Sequence, residues 1–184
     1  MKEIALNILD ITENSVKASA SRIDIEIAES VKDDTLTLVI RDNGCGMAPD
    51  FLEKVTDPFV TTRTTRKVGL GLSLLKVAAE SCDGAFEIRS APGEGTEVSA
   101  RFRLSHLDRM PLGDMPSTVK ILIGMHDTVR FVYKHTTDKG TFTLDTDELR
   151  QTLGEEIPLS APEVLGWIGE YVDENLESIE GGKI

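Results

Sequence analysis

The sequence predicts an α+β fold: a two-layer sandwich with helices on one face of a mixed, mostly antiparallel sheet. Three observations predict it. Strictly alternating segments come in adjacent pairs, as hairpins do. Segments of helical composition stand before and between those pairs. Clusters of Gly, Pro and Asp punctuate the boundaries. Over about the first hundred residues the order is helix, hairpin, helix, loop, helix, hairpin. Helices gathered beside hairpins bury both sets of apolar faces in one core.

The opening helix is "IALNILDITENSVKASA". Asn7, Asp10, Asn14 and Lys17 recur at i, i+3, i+7 and i+10 and share one face, while Ile8, Leu9, Ile11 and Val16 cover much of the rest. "RIDIEI" alternates with Ile23, Ile25 and Ile27 on one side. "TLTLVIRD" repeats this with Leu36, Leu38 and Ile40, and "VKDD" between them reads as the hairpin turn. "APDFLEKV" predicts a short helix, and "LGLSLLKVAAESCDG" a longer one stopping at Gly84. "AFEIRS" and "TEVSARFRL" form a second hairpin about "APGEG". "DRMPLGDMP", rich in Pro and Gly, reads as a linker. Beyond it, "TVRFVYKHTTDKGTFTLD" predicts a hairpin around Asp138, Lys139 and Gly140, followed by helices near 147–153 and 162–179. The expected organisation is a main domain at 1–106, a linker at 107–118 and a small C-terminal α+β extension at 119–184.

Composition excludes several classes. The chain has 184 residues, 40% hydrophobic, with a net charge of −12. There are 17 acids against 13 bases before residue 104, and 15 against 7 from there on. An acidic chain is a poor partner for bulk nucleic acid or an anionic membrane, so neither is expected, and an anionic ligand needs a local basic cluster. The 2 cysteines, Cys45 and Cys82, form no Cys-x-x-Cys pair. They fit a reducing compartment and give no zinc signature. "MKEIALNILD" is interrupted by charges and Asn7, unlike a secretory signal. No stretch approaches the ~20 apolar residues of a membrane span. The expected location is the cytoplasm.

"RDNGCGM", residues 41–47, breaks an apolar run with an acid and two glycines. It lacks the ladder of alternate acids of a calcium loop, and Cys45 lacks the basic neighbours of a reactive thiol. Asp42 ends a strand, so its carboxylate can accept a hydrogen bond, and Gly44 and Gly46 let a flat ring approach the backbone. Alone, "DNG" is equally an ordinary turn. "PFVTTRTTRKVGLGLS" carries four threonines, Arg63, Arg66 and Lys67 without an acid. Glycine amides at a helix start beside basic groups suit a polyphosphate; a surface loop is the plain alternative. The face of Asp10, Asn14 and Lys17 has a solvated-face reading, and "GEGTEV" a simple hairpin reading. Four such stretches in this order within one domain are much less expected by chance.

The order "ENSVKA", "DNGCGM", "GLGLSLLK", "GEGTEV", within residues 4–104, resembles the GHKL ATPases. These include gyrase B, the heat-shock chaperone ATPase, histidine kinases and the mismatch-repair ATPase. Their Bergerat α/β sandwich agrees with the element order read above. The resemblance implies ATP and Mg²⁺ as cofactors of the 1–106 domain. Asn14 is then the Mg²⁺ ligand, and Asp42 accepts from the adenine amino group. Gly44 and Gly46 line the adenine pocket, and Thr96 helps Asp42 hold a water. Gly69 and Gly71 meet the phosphates, and residues 58–70 form the ATP lid. Met47, Thr61, Thr62, Val68, Leu70 and Leu72 complete the implied nucleotide-binding set.

Subfamily signals are mixed. "ENSVKASASRIDIEI" looks like the mismatch-repair branch, whereas "DPFVTTR…GLGLSLLK" resembles histidine kinases. Lys17 stands where many of those kinases place a phosphate-contacting Lys, and Arg63 where they have the lid Lys. Four residues before the Asn, hydrolysing members often carry a Glu general base. Asp10 keeps that carboxylate one methylene shorter, which makes it the catalytic candidate. "SHLDRMPL" superficially resembles a phosphoacceptor box, but His106 follows the ATP domain at a strand end, so a separate partner or phosphoacceptor is expected. The chain also resembles compact stand-alone members encoded beside iron–sulfur hydrogenase-type subunits, which nominates such a subunit as partner. The expected function is a Mg-dependent, histidine kinase-like ATP-binding protein, acting as a slow ATPase or as a kinase on a separate protein. The alternative is a non-catalytic ATP-dependent interaction module.

Overall fold

The computed structural model describes residues 3–55, 71–154 and 156–180. Alternation decides its sheet. Strands β1 (Arg22–Ser30) and β2 (Thr35–Asp42) pair antiparallel, with Ile25 opposite Ile40 and Ile27 opposite Leu38. Every second side chain therefore stands on one face. Strand β4 (Gly95–Arg103) continues these rows, placing Val98 beside Ile40, Ala100 beside Leu38 and Phe102 beside Leu36. Strand β3 (Ala85–Ala91) closes that edge. All the residues of these rows on β1, β2 and β4 are buried.

The C-terminal hairpin joins the same sheet on the other side. Strand β5 (Arg130–Thr137) runs parallel to β1, with Phe131 level with Ile23 and Tyr133 with Ile25. Strand β6 (Gly140–Asp145) lies outermost, so the order is β3-β4-β2-β1-β5-β6. Parallel pairing needs a crossover, and the connection from β4 to β5 contains helix α4 (Met115–Met125). His135 sits in the same buried row and is satisfied there: Tyr133 Oη lies 2.8 Å from its Nδ1, and its Nε2 donates to Glu29 (2.9 Å).

Four helices form one layer over this face. Helix α3 (Gly71–Glu80) packs on α1 (Ile4–Lys17), α1 on α4, and α4 on α6 (Pro162–Glu180). Their sequence in space follows the strands beneath: α3 over β3 and β4, α1 over β2, α6 over β5 and β6. The short α2 (Pro49–Leu52) follows β2, and α5 (Thr146–Leu153) follows β6. The opposite face of the sheet carries charge, with Arg41 bridging Glu26 and Glu97 and Arg89 paired with Glu87. One apolar face and one charged, part-exposed face is the usual antiparallel arrangement. No described helix is long and apolar enough to cross a membrane.

Two local features depart from the sequence reading. The stretch read as a linker caps one helix and starts another. Glu3 gives α1 no side-chain cap, and Ile4 N and Ala5 N donate instead to Pro111 O (3.0 Å) and Leu112 O (2.8 Å). Helix α4 begins inside the same stretch: Asp114 is its N-cap, accepting from Ser117 N at 2.9 Å, with Pro116 in the first turn. Pro and Asp there are helix-start residues as well as loop residues. The second feature is the end of α3, where Asp83, not Gly84, takes positive φ, +52°.

The Asp114 cap carries a measurable stability. Removing such a cap costs about 1 kcal/mol, so Asp114→Ala is expected to lower the urea midpoint at neutral pH. The hydrogen bonds from Ser117 hold the Asp114 carboxyl below its ordinary 3.8. The folded chain thus binds that proton less tightly than the unfolded chain, and the contribution is complete above the ordinary value. It disappears as pH falls through the lowered one. Urea curves of both proteins should converge in acid; a gap independent of pH would exclude a charged cap.

Candidate functional site

A cavity of about 710 Å³ opens where the C-terminal half of α1 meets the ends of β2 and β4. Alternation along β2 turns Asp42 inward, on the same face as Ile40 and Leu38. Its carboxylate is held from two sides: Ser15 Oγ donates to Oδ2 at 2.6 Å, and Gly44 N donates to Oδ1 at 2.9 Å. Thr96 is the cross-strand neighbour of Asp42 and lines the cavity with it. Behind Thr96, Ser90 Oγ lies 3.0 Å from Thr96 Oγ1 and accepts from Met47 N at 2.9 Å.

The loop after β2 needs its second glycine. Gly46 has φ +65°, and a Cβ there would fall 1.9 Å from Ala91 O. No L side chain fits that backbone and that space together. The loop is thereby pressed onto the β3–β4 turn, with Gly93 N donating to Cys45 O at 2.8 Å.

Near Asn14, helix α1 shows an unusual deficit. Asp10 Oδ2 and Asn14 Nδ2 are buried and have no hydrogen-bond partner among the described residues. Both belong to the polar face read from the sequence, with Asn14 lining the cavity. Gly71 stands directly against Asp10: a Cβ at Gly71 would lie 2.0 Å from Oδ2. Asn7 Oδ1 and Thr12 Oγ1 of the same helix are also buried without a partner among the described residues, but of the four residues only Asn14 lines the cavity. Each such atom costs on the order of 1–3 kcal/mol, and the one at Asn14 is open to a polar ligand.

Residues 2–106 match the model of a known family, the histidine kinase-, DNA gyrase B- and HSP90-like ATPases. The chain belongs to this family. A Rickettsia conorii (strain ATCC VR-613 / Malish 7) protein described as an NtrY-like sensor histidine kinase is 32% identical over 108 residues, 59% of this chain and 18% of its own. A Bacillus subtilis (strain 168) protein described as a C4-dicarboxylate sensor kinase is 36% identical over 88 residues, 48% of this chain and 16% of its own. This chain thus spans under a fifth of the length of the curated relatives it matches. Among solved structures, the N-terminal domain of a DNA repair protein matches with TM-score 0.50 at 14% identity, over 79% of this chain and 52% of that one. That likeness shows the fold.

Within this histidine kinase-like ATPase domain, the structure brings most of the predicted residues together. Asn14, Lys17, Asp42, Gly46 and Met47 line the cavity, as do Leu72 and Thr96. Gly44 acts from behind, through its bond to Asp42, and Gly71 packs on Asp10. Thr61, Thr62, Arg63, Val68, Gly69 and Leu70 lie outside the described residues. His106 lies outside the described helices, in a turn after β4, where its Nδ1 accepts from Asp108 N at 3.2 Å. Ser15 and Ser90 were not singled out from the sequence. Ser15 had a signal: it continues the apolar stripe of Ile4, Ile8 and Ile11, so it is a buried hydroxyl that needs a partner. Ser90 had none, because its role depends on the register of β3 with β4.

The glycine argument is testable by contrast. Gly93 also has positive φ, +80°, but its Cβ would meet nothing within 4 Å. Gly93→Ala is expected to cost about 1 kcal/mol, the left-handed backbone alone. Gly46→Ala adds the clash with Ala91 and should cost clearly more in urea unfolding. Equal costs would show that the loop yields freely at Gly46.

Proposed function

We propose that this chain binds ATP with Mg²⁺ in the 710 Å³ cavity and transfers the terminal phosphoryl group slowly, to water or to a separate protein. The observation that carries the reading is the buried, unpartnered pair Asp10 Oδ2 and Asn14 Nδ2, beside a cavity floored by a clamped carboxylate. The residues fit the ligand. Asp42 offers an acceptor to an exocyclic amino group, and Met47, Leu72 and Val98 offer apolar surface to a flat base. Lys17, exposed at the cavity, suits a phosphate.

No group of three or more His, Cys, Asp or Glu that could hold a metal ion exists among the described residues. Asn14 would hold a magnesium ion through its amide oxygen, the ion would supply neutralisation of phosphate charge, and the unpartnered Nδ2, a donor, suits a phosphate oxygen. Asp10 sits one helical turn before Asn14, facing the same side. Its role is to orient and deprotonate the attacking water or hydroxyl.

A second reading is a nucleotide-dependent interaction module. One bond favours it: His126 Nε2, at the end of α4, donates to Glu13 on α1 at 2.6 Å, adjacent in sequence to Asn14. The bond ties α1, the helix that carries Asn14, to the segment after β4. Release of phosphate, or transfer of label to a protein, separates the two readings.

The binding claim rests on Asp42. Asp42→Asn replaces one of the two acceptor oxygens by a donating amide nitrogen, so Ser15 and Gly44 can no longer both donate to the side chain, and it should weaken ATP binding in calorimetry about 10–100-fold. Equal affinity in variant and wild type would remove Asp42 from the site.

Turnover rests on Asp10. General-base help is worth about 10²–10⁴ in rate. Asp10→Asn is expected to retain ATP binding and to lose that factor of hydrolysis. Indistinguishable rates would exclude Asp10 as the base, and no turnover in either protein would favour the interaction module.

A further inference from the structure

Asp42, Thr96 and Ser90 form one row across three strands, with Asp42 paired to Thr96 and Thr96 to Ser90. Each hydroxyl has a single hydrogen, so its direction can be counted. Ser90 Oγ is 2.7 Å from Gly95 O, which only accepts, and 2.9 Å from Met47 N, which only donates. Its one hydrogen therefore goes to Gly95. The 3.0 Å contact with Thr96 Oγ1 must then use the Thr96 hydrogen. That hydrogen points away from the cavity, into the strand pair. On the other side, Ser15 spends its hydrogen on Asp42 Oδ2 at 2.6 Å, ahead of the 3.2 Å contact with Ile11 O.

The side chains of Asp42, Thr96 and Ser15 are thus left with lone pairs only toward the cavity, and the unpartnered donor of the lining, Asn14 Nδ2, belongs to α1. Such a floor receives a ligand group that carries hydrogens, and it opposes a carbonyl oxygen.

We propose that Ser90 is a specificity-determining positioning residue. By fixing the direction of the Thr96 hydroxyl, it makes the floor select a purine with a 6-amino group over one with a 6-keto group. This rests on the nucleotide reading above and deepens it. Ser90 lies behind Thr96 and acts through it, with no contact to the ligand required. With Ser90 replaced by Ala, the Thr96 hydrogen is free to turn into the cavity and donate to a keto oxygen.

The test is calorimetry with ATP and ITP, in which a carbonyl oxygen replaces the 6-amino group, both with magnesium. The wild type is expected to prefer ATP by about 100-fold, the order reached when a buried acceptor would otherwise face an acceptor. Ser90→Ala should shrink the preference about tenfold, chiefly by improving ITP, the worth of about one hydrogen bond. Ser90→Thr keeps the hydroxyl and should restore the wild-type ratio. If Ser90→Ala does not fold, Ser90→Cys, whose thiol accepts only weakly, takes its place with the same expected ratio. An equal weakening of ATP and ITP would make Ser90 a structural staple of the 43–48 loop and overturn the proposal. A wild type that binds ATP and ITP alike overturns it as well, while leaving the nucleotide reading intact. A wild type that binds neither removes the nucleotide reading, and this inference with it.

Discussion

Helix α1 must bury two stripes at once, and the rest of the molecule is arranged around that demand. Ile4, Ile8, Ile11 and Ser15 form the stripe that meets the sheet. Their burial needs no partner except at Ser15, whose hydroxyl finds Asp42. Asn7, Asp10 and Asn14 form the second stripe, and each keeps one buried atom unpaired among the described residues. An apolar residue at any of these positions would be cheaper to bury. Retaining polar groups there lowers stability, and such local violations concentrate where a ligand supplies the missing partner. The same helix thus anchors the core and holds the site, so the geometry of the polar stripe is as rigid as the packing of the apolar one.

The C-terminal third is part of that arrangement. Without β5, strand β1 would be a sheet edge with a row of unpaired backbone groups; Phe131, Tyr133 and His135 extend its buried rows instead. The segment at Pro111 and Leu112 satisfies the first amides of α1, which has no side-chain cap of its own. His126 reaches Glu13 at the other end of the same helix. Both ends of α1 are therefore tied to residues beyond 106.

How much of this was legible in the sequence differs by element. The strands of the first hundred residues were readable because burial on one face imposes period two, and Ile23 to Ile27 and Leu36 to Ile40 obey it. The hairpin at 130–145 was equally readable as a hairpin. Its place beside β1 was not, since alternation shows which face of a strand is buried and is silent on its neighbour. Helix α4 was hidden by the Pro and Gly before it, although Asp114 and Pro116 stand in capping positions. At the site, Asp42, Gly46 and Asn14 were visible through the order of four motifs and the family these resemble, since "DNG" alone reads as a turn and the α1 face alone as solvated. Gly44 was visible too, but the structure gives its amide to Asp42. Ser15 could have been found by asking what a hydroxyl does on an apolar stripe. Ser90 could not, because nothing local distinguishes it from any serine before a turn.

The polarity of the cavity floor follows from burial remote from it. Arg41 and Asp42 are adjacent in sequence and face opposite sides of the sheet. Arg41 lies between Glu26 and Glu97 on the charged face, where ion pairs of this exposure contribute little to stability. Asp42 lies on the inner face with Thr96. What assigns them is the burial of Leu36, Leu38 and Ile40, each at most 1% exposed. Shifting β2 by one residue would expose all three and turn Arg41 into the cavity. Burying a side chain of this size is worth about 1.5–3 kcal/mol, so the three together outweigh any preference of the two charged residues themselves. An acceptor floor is therefore a consequence of hydrophobic register, and the serines on either side only have to settle where the hydrogens point.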